Sequence, residues 1–273
     1  MNYKLLALDI DGTLLNSNSE LTPRTRTAIS KALNRGIKVV LATGRRLTNT
    51  LLLANSLGLT ELLVVHNGGV VYDPSTGQTV TQRGIDLAVA RDVLDKLEAS
   101  SVNYIVYTGE SAGERVVAPH GRWREPEDLL THYLGENATF LERLTLETPP
   151  VRISLIDRGD KVDPLYAELI ADYAGKMNAL LFGAERDTWR GIEIIPADSN
   201  KGTGVAYVAE RLNLAPEEVV AIGDNINDLE MITWAGLGIA MENGSRLVKE
   251  KAKQIAPSND QDGVALVIEE LLL

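Results

Sequence analysis

The sequence predicts an α/β protein: a doubly wound parallel sheet with a smaller α/β domain inserted into it. Three observations lead there. The first third of the chain alternates short apolar runs with segments of helical periodicity, the order from which right-handed parallel sheets are built. The same rhythm returns from Lys201 onward. Between the two, the pattern breaks at a hairpin signal, Asn67-Gly68-Gly69, then Val70-Val71-Tyr72, then Asp73-Pro74-Ser75-Thr76-Gly77. Residues 1–83 and 194–273 are therefore assigned to the sheet domain and 84–193 to the insert. Exposed loop tips such as a hairpin end accept insertions of this kind.

In order, the apolar run Lys4-Leu5-Leu6-Ala7-Leu8 reads as a buried strand, which ends in Asp9-Ile10-Asp11-Gly12-Thr13. Thr22-Pro23 is an N-cap with proline at the first helical position, and Gly36 is the stop, so 23–35 is a helix. Residues 37–42 form a second strand, which ends at Thr43-Gly44-Arg45. A helix over 47–57, closed by Gly58, leads to a third strand over 62–66. The insert reads as a helix near 87–99, strands near 102–107 and 151–157, a helix near 163–174 and strands near 178–182 and 191–195. Asp157-Arg158-Gly159-Asp160 is read as the turn before its second helix. Beyond Lys201 follow helix 202–212, strand 218–223, helix 228–234, strand 237–241, helix 246–252 and a last helix over 264–272.

Composition narrows the function classes. Apolar residues make up 44% of the 273 and charged residues 24%, well interspersed, so the chain folds rather than staying disordered. Cysteine is absent, which excludes disulfide scaffolds and thiolate metal sites and suits a reducing cytoplasm. The start, Met1-Asn2-Tyr3-Lys4, has no signal-peptide layout, and no apolar run approaches the roughly 20 residues that span a bilayer. A cytoplasmic location is the expectation. A net charge of −11 argues against nucleic acid or an anionic membrane as partner. It also means that a site for phosphate must be locally positive.

In doubly wound sheets, ligands bind beyond the carboxyl ends of the strands, so each strand end can be searched for chemistry. The first supplies Asp9 and Asp11, two carboxylates that are costly to bury unless a cation, hydrogen bonds or chemistry justifies them. Asp-Gly is also a common turn pair. The second supplies the Thr43 hydroxyl and the Gly44 N–H, both able to donate to an anion. The strand at 218–223 ends in Gly223-Asp224-Asn225-Ile226-Asn227-Asp228, and Lys201-Gly202 opens a helix. Carboxylates, a hydroxyl, a cation and free N–H groups thus converge on one edge. These are the pieces that Mg2+-dependent phosphoryl transfer needs.

Other readings of the same residues exist. Lys201 can be a surface lysine, although its charge opposes the helix dipole there. Asp228 alone can be an N-cap for the helix behind it. Arg45 can contact substrate or pair with a carboxylate. The run 224–228 fails the calcium-loop pattern, with Ile226 inside it and no glycine at the sixth position, and Lys201-Gly202 lacks the glycine-rich lead of a P-loop. His66, His120 and His132 lie at no metal-ligand spacing. Arg122-Trp123-Arg124 reads as an exposed charged turn, and Asp187, Trp189 and Arg190 are weaker candidates for substrate contact.

Together the motifs resemble the haloacid dehalogenase-like hydrolases, specifically the Cof-type sugar-phosphatase branch with a C2-type cap. The matching residues are Asp9-Ile10-Asp11-Gly12-Thr13, Thr43-Gly44-Arg45, Lys201-Gly202 and Gly223-Asp224-Asn225-Ile226-Asn227-Asp228, with Met231 downstream. Asn67-Gly68-Gly69 and Ser258-Asn259-Asp260-Gln261-Asp262-Gly263 also look like that branch, whereas the insert adds almost nothing. The resemblance implies a phosphatase of small phosphorylated metabolites, sugar phosphates by default, with Mg2+ as cofactor. It implies Asp9 as nucleophile and metal ligand, and Asp11 as acid and base with its carbonyl on the metal. Asp224 would complete the protein's metal ligands, and Asp228 would orient them from behind. Thr43, Gly44, Lys201 and Asn227 would hold the phosphoryl oxygens, and Arg45 and Asn67 are possible substrate contacts. The insert would be a mobile cap that selects the leaving group. A phosphomutase of the same family and a non-catalytic phosphometabolite-binding protein are the alternatives.

Overall fold

The computed structural model describes residues 3–110, 113–120, 138–142, 144–183 and 188–273. The chain divides into two compact units, Met1–Thr81 with Asn200–Leu273, and Gln82–Ser199.

In the first unit, β1 (Leu5–Leu8) lies between two parallel partners and is buried on both faces, as a continuous apolar run requires. It pairs with β2 (Lys38–Leu41) and with β12 (Val219–Gly223), with Leu8 opposite both Leu41 and Ile222. β13 (Leu237–Met241) and β14 (Gln254–Ala256) complete a five-stranded parallel sheet in the order β14-β13-β12-β1-β2. The expected third strand, β3 (Leu63–Val65), meets the sheet through a parallel bridge between Ala42 and Val64. It then opens an antiparallel three-stranded sheet with β4 (Val70–Asp73) and β5 (Gln78–Gln82).

Local signals fix the helix ends. The Thr22 hydroxyl accepts a hydrogen bond from the Thr25 N–H at 3.2 Å and starts the helix Pro23–Asn34. Gly58, at φ +68°, ends the helix Leu47–Leu57. The edge strand β14 was not expected, because its three residues carry almost no pattern and two of them are exposed.

The second unit is built on a six-stranded sheet, whose central strand β9 (Arg152–Arg158) pairs with β6 (Tyr104–Glu110) on one side and β11 (Trp189–Pro196) on the other. Its other strands are β7 (Gly113–Pro119), β8 (Ala138–Leu141) and β10 (Met177–Phe182), and the full order is β10-β11-β9-β6-β7-β8. Val93, Leu97, Tyr104, Ile153, Leu165 and Ile192 share its core with the helices Leu87–Ala99 and Gly159–Asp172. β7 and β8 were not read from the sequence, which assigns no strand between 107 and 151. The helix begins at Gly159 rather than near 163, and Asp160 lies in its first turn, where an acidic residue suits the positive helix end. Pro164, which normally marks a helix start, sits inside it.

Arg122-Trp123-Arg124, His132 and Asp187 lie outside the described residues. Arg190 pairs with Asp163 at 2.8 Å, and His120 is exposed beside Glu142. Among the described residues, no helix is long and apolar enough to cross a membrane.

Candidate active site

The site forms where β1, β2 and β12 end. Asp9 is still tied to the sheet, its N–H donating to the Ile222 carbonyl at 3.0 Å. The chain then turns sharply, with the N–H groups of Leu14 and Leu15 both donating to the Ile10 carbonyl at 3.0 Å. Gly12 makes this turn possible. Its φ is +77°, and a Cβ there would lie 2.5 Å from Asp224 Oδ2. The turn delivers the Thr13 hydroxyl to Asp224 Oδ1 at 2.9 Å, so the first and third motifs are bonded to each other.

Asp228 organises the end of β12. Its Oδ2 accepts from the N–H groups of Asp224 and Asn225, both at 2.9 Å. Its Oδ1 accepts from Lys201 Nζ at 2.6 Å. The carboxylate thus faces back into the turn and makes no cap hydrogen bond to the helix Leu229–Trp234, which removes the N-cap reading. Lys201 is not a surface lysine either. It is 1% exposed, at the start of the helix Lys201–Arg211. The Asn200 side chain accepts from the Thr203 N–H at 2.8 Å, and the Thr203 hydroxyl accepts from the Asn200 N–H at 3.2 Å. This reciprocal cap fixes the helix start and aims the lysine inward. Its ammonium also reaches Asp9 Oδ1 at 2.6 Å.

Charge in this cluster does not balance. Oxygens of Asp9, Asp224 and Asp228 lie within 4.8 Å of one another around one buried ammonium. Burial and the neighbouring Asp228 push the Asp9 carboxyl well above the carboxylate range and Asp224 up to about 6. For Lys201, burial opposes the charge, but Asp228 and Asp9 outweigh it and hold the ammonium above the ordinary lysine value. The surplus negative charge, carried on hard oxygen donors, fits a divalent cation such as Mg2+.

The second motif stands beside this cluster. The Thr43 hydroxyl accepts from the Arg45 N–H at 3.1 Å, and the Thr43 carbonyl accepts from the Asn67 N–H at 2.9 Å. Asn67 is buried in the left-handed region, φ 51°, and its Oδ1 accepts from Asn227 Nδ2 at 2.9 Å. A Cβ on Gly44 would lie 3.1 Å from Asn67 Nδ2, so Thr43, Gly44, Asn67 and Asn227 form one connected group. Of the two readings open for Arg45, carboxylate pairing is the one found. Its Nε donates to Asp11 Oδ2 at 2.7 Å and its Nη2 to Oδ1 at 2.5 Å. This pairing raises the guanidinium pKa further. The Asp11 side chain is 60% exposed, in contrast to the sealed Asp9.

Asp9, Asp11, Thr43, Gly44, Arg45, Asn67, Lys201, Asp224, Asn227 and Asp228 are therefore brought together beyond the ends of β1, β2 and β12. Sequence reasoning gave Thr13 no task, although it lies inside a recognised motif. It also passed over Asn243, which donates to the Gly12 carbonyl at 2.8 Å, because Asn243-Gly244 reads as an ordinary turn.

The sequence profile of the haloacid dehalogenase-like hydrolases matches residues 6–268. Two curated relatives from Bacillus subtilis (strain 168) are each named 5-amino-6-(5-phospho-D-ribitylamino)uracil phosphatase. YcsE is 31% identical over 100% of this chain and 97% of its own length, and YwtE is 30% identical over 98% of each. Among solved structures, a haloacid dehalogenase-like hydrolase from Bacteroides thetaiotaomicron superposes with a TM-score of 0.82 at 28% identity, covering 99% of this chain and 100% of that one.

Proposed function

The chain belongs to the haloacid dehalogenase-like hydrolases, and we propose that it is a Mg2+-dependent phosphatase of small phosphorylated metabolites that works through an aspartyl-phosphate on Asp9. The observation that carries this reading is the arrangement around Lys201, whose ammonium bridges Asp9 and Asp228 at 2.6 Å each while Asp224 stands within 4.8 Å of both carboxylates.

Asp9, Asp224 and the Asp11 carbonyl would hold the metal. Bound there, Mg2+ supplies charge neutralisation for a phosphoryl oxygen. Lys201 holds Asp9 Oδ1, which leaves Oδ2 to attack phosphorus. The P–O bond to the leaving group breaks, its electron pair stays on the departing oxygen, and Asp11 gives that oxygen a proton. Asp11 then takes a proton from water as the water attacks phosphorus. The bond from Asp9 to phosphorus breaks, phosphate departs and Asp9 is restored. Because Asp11 is paired with Arg45, this proton work requires the carboxyl to exchange the guanidinium for the reacting oxygen. The Thr43 hydroxyl, the Gly44 N–H, Lys201 and Asn227 hold the phosphoryl oxygens, and a bound Mg2+ would supply the positive charge that the surplus of carboxylates withholds.

Sugar or polyol phosphates are the proposed substrate class, which the 5-phospho-D-ribityl group in the names of the two relatives supports. Selection of the leaving group is assigned to the inserted unit. The test is phosphate release from a panel of metabolite esters with Mg2+ and with EDTA. Metal-dependent release from sugar phosphates is expected; no release from any ester would leave a binding protein as the better reading.

A further inference from the structure

The segment Ser258-Asn259-Asp260-Gln261-Asp262-Gly263 has no place in the chemistry above, yet nearly every polar group in it is spent on the chain that follows Asp11. Asp260 accepts from the Ser17 N–H at 2.8 Å and from the Ser17 hydroxyl at 2.6 Å. Asp262 accepts from the Thr22 hydroxyl at 2.5 Å. Asn259, buried, donates from Nδ2 to the Leu15 carbonyl at 2.9 Å. Gly263 is required because a Cβ there would meet the Pro257 carbonyl oxygen at 2.0 Å.

One contact leads back to the site. The Asn259 N–H donates to Asn243 Oδ1 at 3.0 Å, which fixes the amide so that Asn243 Nδ2 donates to the Gly12 carbonyl at 2.8 Å. Gly12 is the residue between Asp11 and Thr13, and Thr13 holds Asp224. Ser245, two residues beyond Asn243, donates its N–H to the Asp224 carbonyl at 2.8 Å, so the same loop braces Asp224 from its other side.

We propose that Asn243 and Asn259 are positioning residues, which fix the peptide between Gly12 and Thr13 and so hold the Asp11 carbonyl and Asp224 in register for a divalent cation. This rests on the reading of Asp9, Asp224 and the Asp11 carbonyl as Mg2+ ligands. Partners of this kind, behind a metal's ligands, typically change metal affinity by about 10–100-fold.

The test is calorimetric titration of Mg2+ alone into the parent protein, Asn243→Ala and Asp260→Ala, with a thermal melt of each. Asn243→Ala is expected to melt cooperatively and to bind Mg2+ roughly 10–100-fold more weakly. Asp260→Ala removes both Ser17 bonds but neither asparagine bond, and is expected to melt earlier while binding Mg2+ within about twofold of the parent. If Asn243→Ala does not fold, Asn243→Asp replaces it, since it keeps the acceptor for Asn259 and loses the donor to Gly12. Parent-like Mg2+ affinity in the Asn243 variant overturns the proposal, as does an equal loss in Asp260→Ala. A parent that binds no Mg2+ removes the metal reading itself, and this inference falls with it.

Discussion

Lys201 and Asp228 meet at 2.6 Å with both side chains sealed from solvent. Asp228 is pinned from the other side by two backbone N–H groups, so it sets where the ammonium stands and which oxygen of Asp9 that ammonium holds. Buried charges of this kind are stable only as a set.

Removing the cation should therefore cost both stability and turnover. Lys201→Met leaves Asp9 and Asp228 facing each other without a counter-charge, and an expected loss of about 3–5 kcal/mol would be read by chemical denaturation. Adding Asp228→Asn should recover much of that stability but no activity. Restored turnover in the double variant would contradict the phosphate-holding role of Lys201.

Asp9→Asn preserves the shape of the side chain and removes the proposed nucleophile. Turnover is expected to fall at least about 10⁴-fold, with a cooperative melt and the circular dichroism of the parent. Substantial residual activity would sink the nucleophile assignment.

Asp11→Asn separates proton transfer from metal binding. Its side chain points to Arg45, and only its backbone carbonyl is assigned to the metal. A fall in kcat of roughly 10²–10⁴-fold is expected, with unchanged Mg2+ affinity. The pair with Arg45 is partly exposed, so stability should shift by less than about 1 kcal/mol. A large loss of Mg2+ affinity would show that the side chain itself is a ligand.

Mg2+ should raise the melting temperature, and more so at neutral than at acid pH. Burial and Asp228 hold the folded-state Asp224 pKa at about 6, above its unfolded value. A raised carboxyl contributes stability that is fully present below the unfolded value and is lost as pH rises through the folded one. Metal-free protein thus carries its greatest strain at neutral pH, where the carboxylates are ionised and ready to bind a cation. A thermal shift with Mg2+ is expected to be small at pH 5 and larger at pH 7.5. Equal shifts at both would separate the metal from these carboxylates.

Much of this was legible in the chain itself, because the signals are local. A continuous apolar run gave β1, Thr22-Pro23 and Gly58 gave helix ends, and the rule that ligands gather at strand ends pointed to Asp9, Thr43 and Asp224. The strands β7, β8 and β14 escaped notice because short strands owe their existence to the neighbours they pair with, not to a pattern of their own.

What the sequence determined by itself was which candidate residues stand at the strand and helix ends, since strand period and capping chemistry act over a few residues. What only the tertiary structure decided was who pairs with whom. Lys201 and Asp9 are 192 positions apart, and although a lysine at a helix start opposes the dipole, nothing near it in the sequence names the carboxylates it meets. Likewise the surroundings of Arg45, Asp228 and Asn243 in the sequence are the same whichever partner they meet. Partnership between distant side chains depends on sheet order and register, and those follow from the packing of the whole domain.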